Sequence, residues 1–273
     1  MTIKLVAIDI DGTLVTDDKQ LTTETIEAIN QATEQGVKVV LCTGRPLNGV
    51  QDYLKKLGLD NQAESYVITF NGSLVQNTNG DIIVRHTVSF NDYLDMELLA
   101  RKIGLHFHAE TDQFIYTANR DISPYSIAES FLVRTPIKYR TVEEMTPALS
   151  ISKGMIIDDP ELISKALDEK AVPADFFNRF YIVRSEPYFL ELMNKDASKG
   201  NAIRDLAAQL DIKQEEIMAL GDQENDLTMI DYAGLGVAMG NAINEVKEHA
   251  DQMTLTNQEN GVAAAINQYV LNK

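Results

Sequence analysis

Four short stretches of this chain carry side chains that suit a phosphate and a hard cation. The first is Asp9-Ile10-Asp11-Gly12-Thr13, directly after the apolar run from Lys4 to Ile8. Two carboxylates two positions apart point the same way where a strand ends, and Gly12 lets the chain turn sharply and approach a ligand closely. The second is Thr43-Gly44-Arg45, a hydroxyl, a flexible backbone and a guanidinium after another apolar run, a set suited to phosphate oxygens. The third is Lys199, just ahead of a helix in Ala197-Ser198-Lys199-Gly200-Asn201. The fourth, Gly221-Asp222-Gln223-Glu224-Asn225-Asp226, packs three acids and an asparagine into five residues. A helix dipole favours acids at a helix start, but this exceeds what capping needs, and oxygen-rich sets of this kind suit Mg2+. Taken singly, each stretch also fits a plain structural role: a polar turn, a loop with Pro46 near a helix start, a solvated surface lysine.

Such groups need strand tips to hold them, and the chain supplies these. Val37 to Cys42 is apolar apart from Lys38, the mark of a strand buried on both faces. Thr22 caps a predicted helix from Thr23 to about Gln35, with Gly36 at the left-handed position beyond its end. A helix is expected after Pro46 through about Leu57, then a strand from Tyr66 to Phe70 closed by Asn71-Gly72. Strand–helix alternation with short loops predicts a parallel α/β sheet. From Ile82 to about Leu192 the texture changes to shorter, more aromatic strand candidates, beginning with Ile82–Val88, and to helices near 91–103, 124–132 and 160–169. After Lys199-Gly200 the α/β rhythm returns, with strands at Ile217–Leu220 and Leu235–Ala238. The expected organisation is therefore a core over 1–83 and 192–273, with an α+β module over 84–191 inserted into it.

The 273 residues carry 24 Lys+Arg against 41 Asp+Glu, a formal charge of −17. That balance argues against a nucleic-acid backbone or an anionic membrane as the main partner, and no stretch approaches the roughly 18 apolar residues of a span. The single cysteine, Cys42, excludes an internal disulfide framework, and the start MTIKLVAIDIDG has no signal-peptide layout, so the cytoplasm is the expected location.

In combination the four stretches are far more specific than singly. Asp9-x-Asp11-Gly12-Thr13, Thr43, Lys199 and Gly221-Asp222-x-x-Asn225-Asp226 resemble the four motifs of the haloacid dehalogenase superfamily, in order. The module between the second and third resembles the large cap of its Cof-type branch. YTANRDIS (116–123), EPYFLE (186–191), GDQEND (221–226) and GVAMGNA (236–242) bring the likeness close to the YidA-type sugar phosphatases. It spans essentially the whole chain, with no departure at a motif position.

The resemblance implies a Rossmann-like α/β core with an inserted cap that closes over the site and sets substrate choice. It implies Mg2+-dependent hydrolysis of a small phosphorylated metabolite, a sugar phosphate above all, and leaves the oligomeric state open. Asp9 is then the nucleophile that becomes an aspartyl-phosphate. Asp11 is the acid for the leaving oxygen and the base for water, which asks that it be protonated at the first step. Asp9, Asp222 and the Asp11 carbonyl hold Mg2+, with Asp226 orienting waters or Lys199. Thr43, Gly44, Lys199 and Asn225 meet the phosphate, and Arg45 and Asn71 lie at the phosphate or at the junction with the cap.

Two other readings compete. A phosphotransferase or phosphomutase uses the same intermediate but protects it from water. A non-catalytic module that senses a phospho-ligand needs neither Asp9 nor Asp11. His106 and His108 have a spacing that serves zinc, yet no cysteine or third histidine lies near, so strand packing is the expectation. The run Gly234-x-Gly236-x-x-x-Gly240 has the wrong last spacing for a dinucleotide loop.

Overall fold

The computed structural model describes residues 2–272. They form two compact units, 2–85 with 198–272, and 86–197.

The first unit begins with strand β1 (Leu5–Asp9), helix α1 (Thr23–Glu34), β2 (Lys38–Cys42), α2 (Gln51–Lys56), β3 (Tyr66–Thr69), β4 (Leu74–Asn77) and β5 (Ile82–Arg85). The second unit contributes α3 (Phe90–Ile103), β6 (Phe107–Glu110), β7 (Ile115–Thr117), α4 (Pro124–Leu132), β8 (Ile137–Tyr139), β9 (Lys153–Ile157), α5 (Pro160–Asp168), α6 (Ala174–Arg179), β10 (Phe180–Glu186) and β11 (Phe189–Asn194). The chain then returns through α7 (Lys199–Gln209), β12 (Ile217–Gly221), α8 (Leu227–Tyr232), β13 (Leu235–Ala238), α9 (Asn244–His249), β14 (Gln252–Met253) and α10 (Gly261–Tyr269).

The sheet of the first unit runs β14-β13-β12-β1-β2-β3-β4-β5. From β14 to β3 neighbouring strands are parallel. All five residues of β1 and of β12 are buried, as parallel strands covered by helices on both faces require. From β1 the chain steps outward through β2 and β3 on one side, and from β12 through β13 and β14 on the other. The sequence order therefore reverses between β1 and β12. That is the switch point at which open α/β sheets take ligands, beyond the carboxyl ends of the strands. Asp9 ends β1, Thr43 follows β2, and Asp222 follows β12.

Helix α1 is held as the sequence indicates: the Thr22 hydroxyl accepts from the Thr25 amide, and Gly36 takes φ +85°. Beyond β3 the parallel expectation fails. Phe70, Asn71 and Gly72 all lie at positive φ, 51°, 53° and 100°, and this reverses the chain at once, so β4 returns antiparallel to β3 and β5 antiparallel to β4. The strand expected from Ile82 to Val88 ends at Arg85, because Val88 instead bridges to Ile151 within the second unit. Helix α2 is shorter than expected, its first turn being a 3-10 segment over Leu47–Gly49.

The second unit is a six-stranded sheet ordered β10-β11-β9-β6-β7-β8. One face carries Phe107, Ala109, Ile156, Leu190 and Leu192 into a core with Met96 and Leu99 of α3, Ile163 of α5 and Phe176 of α6. The alternate residues His108, Glu110, Lys153 and Glu191 are also buried, and Lys153 lies 3.2 Å from Glu191 and 3.7 Å from Glu110. His106 bonds Asp158 at 2.7 Å, whereas His108 bonds Ser126 and Glu110. The two imidazoles share no partner, in keeping with packing rather than zinc. Among the described residues no helix is long and apolar enough to cross a membrane.

Gly200 sets how closely the helix carrying Lys199 approaches α8. A Cβ there would stand 2.1 Å from the Thr228 carbonyl oxygen, a backbone atom that cannot swing aside. Gly200→Ala is expected to lower stability by about 2 to 3 kcal/mol, measured by denaturant unfolding; an unchanged midpoint would mean that the two helices part without cost.

Candidate active site

Lys199 is the first residue of α7 and has no exposed surface. A buried ammonium at the positive end of a helix is unfavourable on two counts, so carboxylates must hold it there. Its Nζ lies 2.6 Å from Asp9 Oδ1 and 2.6 Å from Asp226 Oδ1. These two negative partners outweigh burial and keep the lysine charged, its pKa raised.

Asp226 Oδ2 accepts from the Asp222 and Gln223 amides at 2.9 and 3.0 Å. Both of its oxygens are thus engaged. Asp222 sits beside it and accepts from the Thr13 hydroxyl at 2.8 Å through Oδ1. One oxygen each from Asp9, Asp222 and Asp226 falls within 4.8 Å of the others, and all three residues are buried. Three carboxylates against one ammonium leave a formal excess of two negative charges.

Burial, then the charge of Asp226, drive the Asp9 pKa well up, with Lys199 pulling the other way. Burial also pushes Asp222 up to about 6, helped by Asp226 and opposed by Thr13. Hard, crowded, partly under-ionised oxygen ligands are the chemistry expected where a divalent cation completes a site, so the donor set fits Mg2+.

The carboxylate of Asp11 lies with cations. Arg45 donates to both of its oxygens, Nε at 2.9 Å and Nη2 at 2.6 Å, and Lys19 Nζ adds a contact at 2.7 Å. Partial burial raises its pKa, but the Lys19 hydrogen bond and the Arg45 charge outweigh it and hold the carboxyl below the usual range. The resting side chain is thus gripped by two cations that favour its carboxylate form, so the proton that the first step asks of Asp11 requires this grip to open. Lys19 had no signal in the sequence, since it reaches Asp11 only through a turn in which it adopts φ 58°.

Thr43 is buried, and its hydroxyl accepts from the Arg45 amide at 3.1 Å. Its carbonyl accepts from the Asn71 amide at 2.9 Å. Asn71, left-handed and buried, accepts from Asn225 Nδ2 at 3.1 Å and lies against Gly44, where a Cβ would come within 3.2 Å of its amide. The tips of β2, β3 and β12 are tied together in this way. The structure thus brings Thr43, Gly44, Asn71 and Asn225 into one group and Asp9, Lys199, Asp222 and Asp226 into another, while Asp11 pairs with Arg45. Cys42, buried beneath, has its thiol pKa raised by burial, which makes it inert.

A family model for haloacid dehalogenase-like hydrolases matches residues 6–266. A candidate phosphatase of Streptococcus pyogenes, M6_Spy0533, is 48% identical over all of both chains. The 5-amino-6-(5-phospho-D-ribitylamino)uracil phosphatase YcsE of Bacillus subtilis is 34% identical, covering 98% of this chain and 96% of its own. Among solved structures, a haloacid dehalogenase-like hydrolase from Bacteroides thetaiotaomicron superposes with TM-score 0.84 at 31% identity over 98% of this chain and 99% of its own. The subclass IIB sugar phosphatase BT4131 gives 0.78 at 25% over 97% and 98%.

The raised Asp222 pKa has a consequence for stability. Its carboxylate penalises the folded state in full above the folded pKa of about 6, and the penalty is relieved as pH falls from there to the ordinary aspartate value of 3.8. Metal-free Asp222→Asn is expected to exceed wild type in stability at pH 8 by about 2 to 3 kcal/mol, with the gap roughly halved at pH 5 and nearly gone by about pH 4. Thermal unfolding in chelator checks this, and a wild type no less stable than the variant at pH 8 contradicts it.

Proposed function

This chain belongs to the haloacid dehalogenase-like hydrolases, and from that premise we propose that it is a Mg2+-dependent phosphatase that hydrolyses small phosphorylated metabolites, sugar phosphates first among them, through an aspartyl-phosphate on Asp9. The observation that carries the reading is the buried Lys199 ammonium shared between Asp9 and Asp226, with Asp222 alongside. A structural ion pair would need one carboxylate, and a phosphate sensor would avoid three.

Phosphoryl transfer asks for an in-line nucleophile, positive charge around the phosphoryl oxygens, and a proton for the leaving group. Asp9 supplies the nucleophilic oxygen, fixed on a strand end and aligned by Lys199. Lys199, held in its charged form by Asp9 and Asp226, serves as an electrostatic clamp on the phosphoryl group rather than as a base. Asp226 holds Lys199, since both its oxygens are taken. Mg2+, held by Asp9, Asp222 and the Asp11 carbonyl, would supply the positive charge that lets a phosphate dianion approach Asp9. The Thr43 hydroxyl, the Gly44 backbone and Asn225, positioned through Asn71, line the phosphate on its other side.

Asp11 completes the cycle. Its resting pairing with Arg45 and Lys19 must open first, and a phosphoryl dianion competes for both cations. Protonated from solvent once that pairing has opened, Asp11 gives this proton to the departing oxygen and then takes one from the water that attacks phosphorus. The polyol class is supported by YcsE, named for a ribityl phosphate, and BT4131, named as a sugar phosphatase.

A phosphate-release screen over phosphorylated metabolites, with and without Mg2+, tests this reading. Wild type is expected to act only with Mg2+ and to stop on chelation, and Asp9→Asn is expected to fall to background. Asp11→Asn should still bind Mg2+ while turnover drops by roughly 10²- to 10⁴-fold. Wild-type rates in Asp9→Asn would remove the nucleophile, and failure with every phosphoester would favour the binding module.

A further inference from the structure

Resting on that reading, we propose that Asn241 is a positioning residue for the loop that carries Asp9 and Asp11, and that Asn257 holds it in place. The segment around Asn241 is fastened to the Asp222 loop by backbone alone. The Met239 amide donates to the Gly221 carbonyl and the Ile243 amide to the Asp222 carbonyl, each at 3.0 Å. From between these two anchors, Asn241 Nδ2 crosses to the Gly12 carbonyl at 2.8 Å.

The Gly12 carbonyl belongs to the peptide that leads into Thr13, whose hydroxyl bonds Asp222 Oδ1. A closed ring results, from Asp222 through Ile243, Asn241, Gly12 and Thr13 back to Asp222. Gly12 needs such a hold. It sits at φ +88°, and a Cβ there would stand 2.4 Å from the Asp222 carboxylate, so the position must be glycine and has no side chain to fix its own peptide.

Asn257 decides which way Asn241 faces. Its backbone amide donates to Asn241 Oδ1 at 2.9 Å, which leaves Nδ2 as the end turned to Gly12. Its side chain donates to the Val15 carbonyl at 3.0 Å and to Asp17 at 3.1 Å. The turn after Asp9 is thus gripped at Gly12, Val15 and Asp17 from one side. Asn257 is buried, whereas Asn241 is exposed. An exposed hydrogen bond adds little to fold stability, so the work of Asn241 lies in the orientation of the Asp11–Gly12 segment relative to Asp222.

The test uses the full chain with Asn241→Ala and Asn241→Asp. The second keeps the acceptor for the Asn257 amide but sets a carboxylate oxygen against the Gly12 carbonyl. Mn2+ affinity is read by electron paramagnetic resonance without substrate, beside kcat, KM and thermal midpoint. Both variants are expected to bind Mn2+ roughly tenfold more weakly and to lose kcat, with KM for the phosphoester and the thermal midpoint near wild type. Unchanged Mn2+ affinity and kcat in both variants would overturn the proposal, as would losses that simply follow a lowered midpoint. If wild type turns over no phosphoester, the functional reading fails by itself, and the Mn2+ comparison still decides the role of Asn241.

Discussion

Three buried carboxylates crowd one buried ammonium that bonds two of them, and most of the first unit's architecture is arranged around that imbalance. Placing charges in a low-dielectric site costs several kcal/mol per ion unless partners and hydrogen bonds compensate. Here Lys199 compensates Asp9 and Asp226 directly, two backbone amides satisfy Asp226, and the Thr13 hydroxyl and, at 3.4 Å, the Gln223 side chain donate to Asp222. What is left over appears as the raised pKa values of Asp9 and Asp222. A site so unbalanced is unfavourable for folding, a cost that the proposed cation would relieve.

The sheet makes the arrangement possible. Parallel strands end their carboxyl tips on one edge, and the reversal between β1 and β12 leaves room there for side chains from both halves. Glycine occurs where the acids crowd the backbone: a Cβ at Gly221 would lie 2.5 Å from Asp226 Cβ, and one at Gly12 closer still to Asp222. The buried polar contacts between Asn71, Thr43 and Asn225 then join the remaining tips.

Much of this was legible in the residues. Asp9, Thr43, Lys199 and Asp222 stand at strand or helix ends that hydrophobic runs and turn residues announce, and their order along the chain matches a known motif set. The contacts that depend on chain reversals were not legible. Asp11 meets Lys19 because a tight turn folds back eight residues later, and this pairing, with Arg45, favours the resting carboxylate. Strand β4 follows three left-handed residues, of which only Asn71-Gly72 carry a turn signature. Asn241 and Asn257 bind backbone carbonyls, and no residue type marks the carbonyl of a distant loop.

The central claim is that the excess charge at the strand tips is a cation site in waiting. Calorimetric titration of the metal-free protein with Mg2+ near pH 6, in buffers of different ionisation enthalpy, tests it most directly. One Mg2+ per chain should bind and release protons, because carboxyls of raised pKa, Asp222 among them at about 6, must ionise to hold it. The release should shrink as the pH is raised toward 8. Absence of saturable binding, or binding that releases no protons at pH 6, would contradict the account.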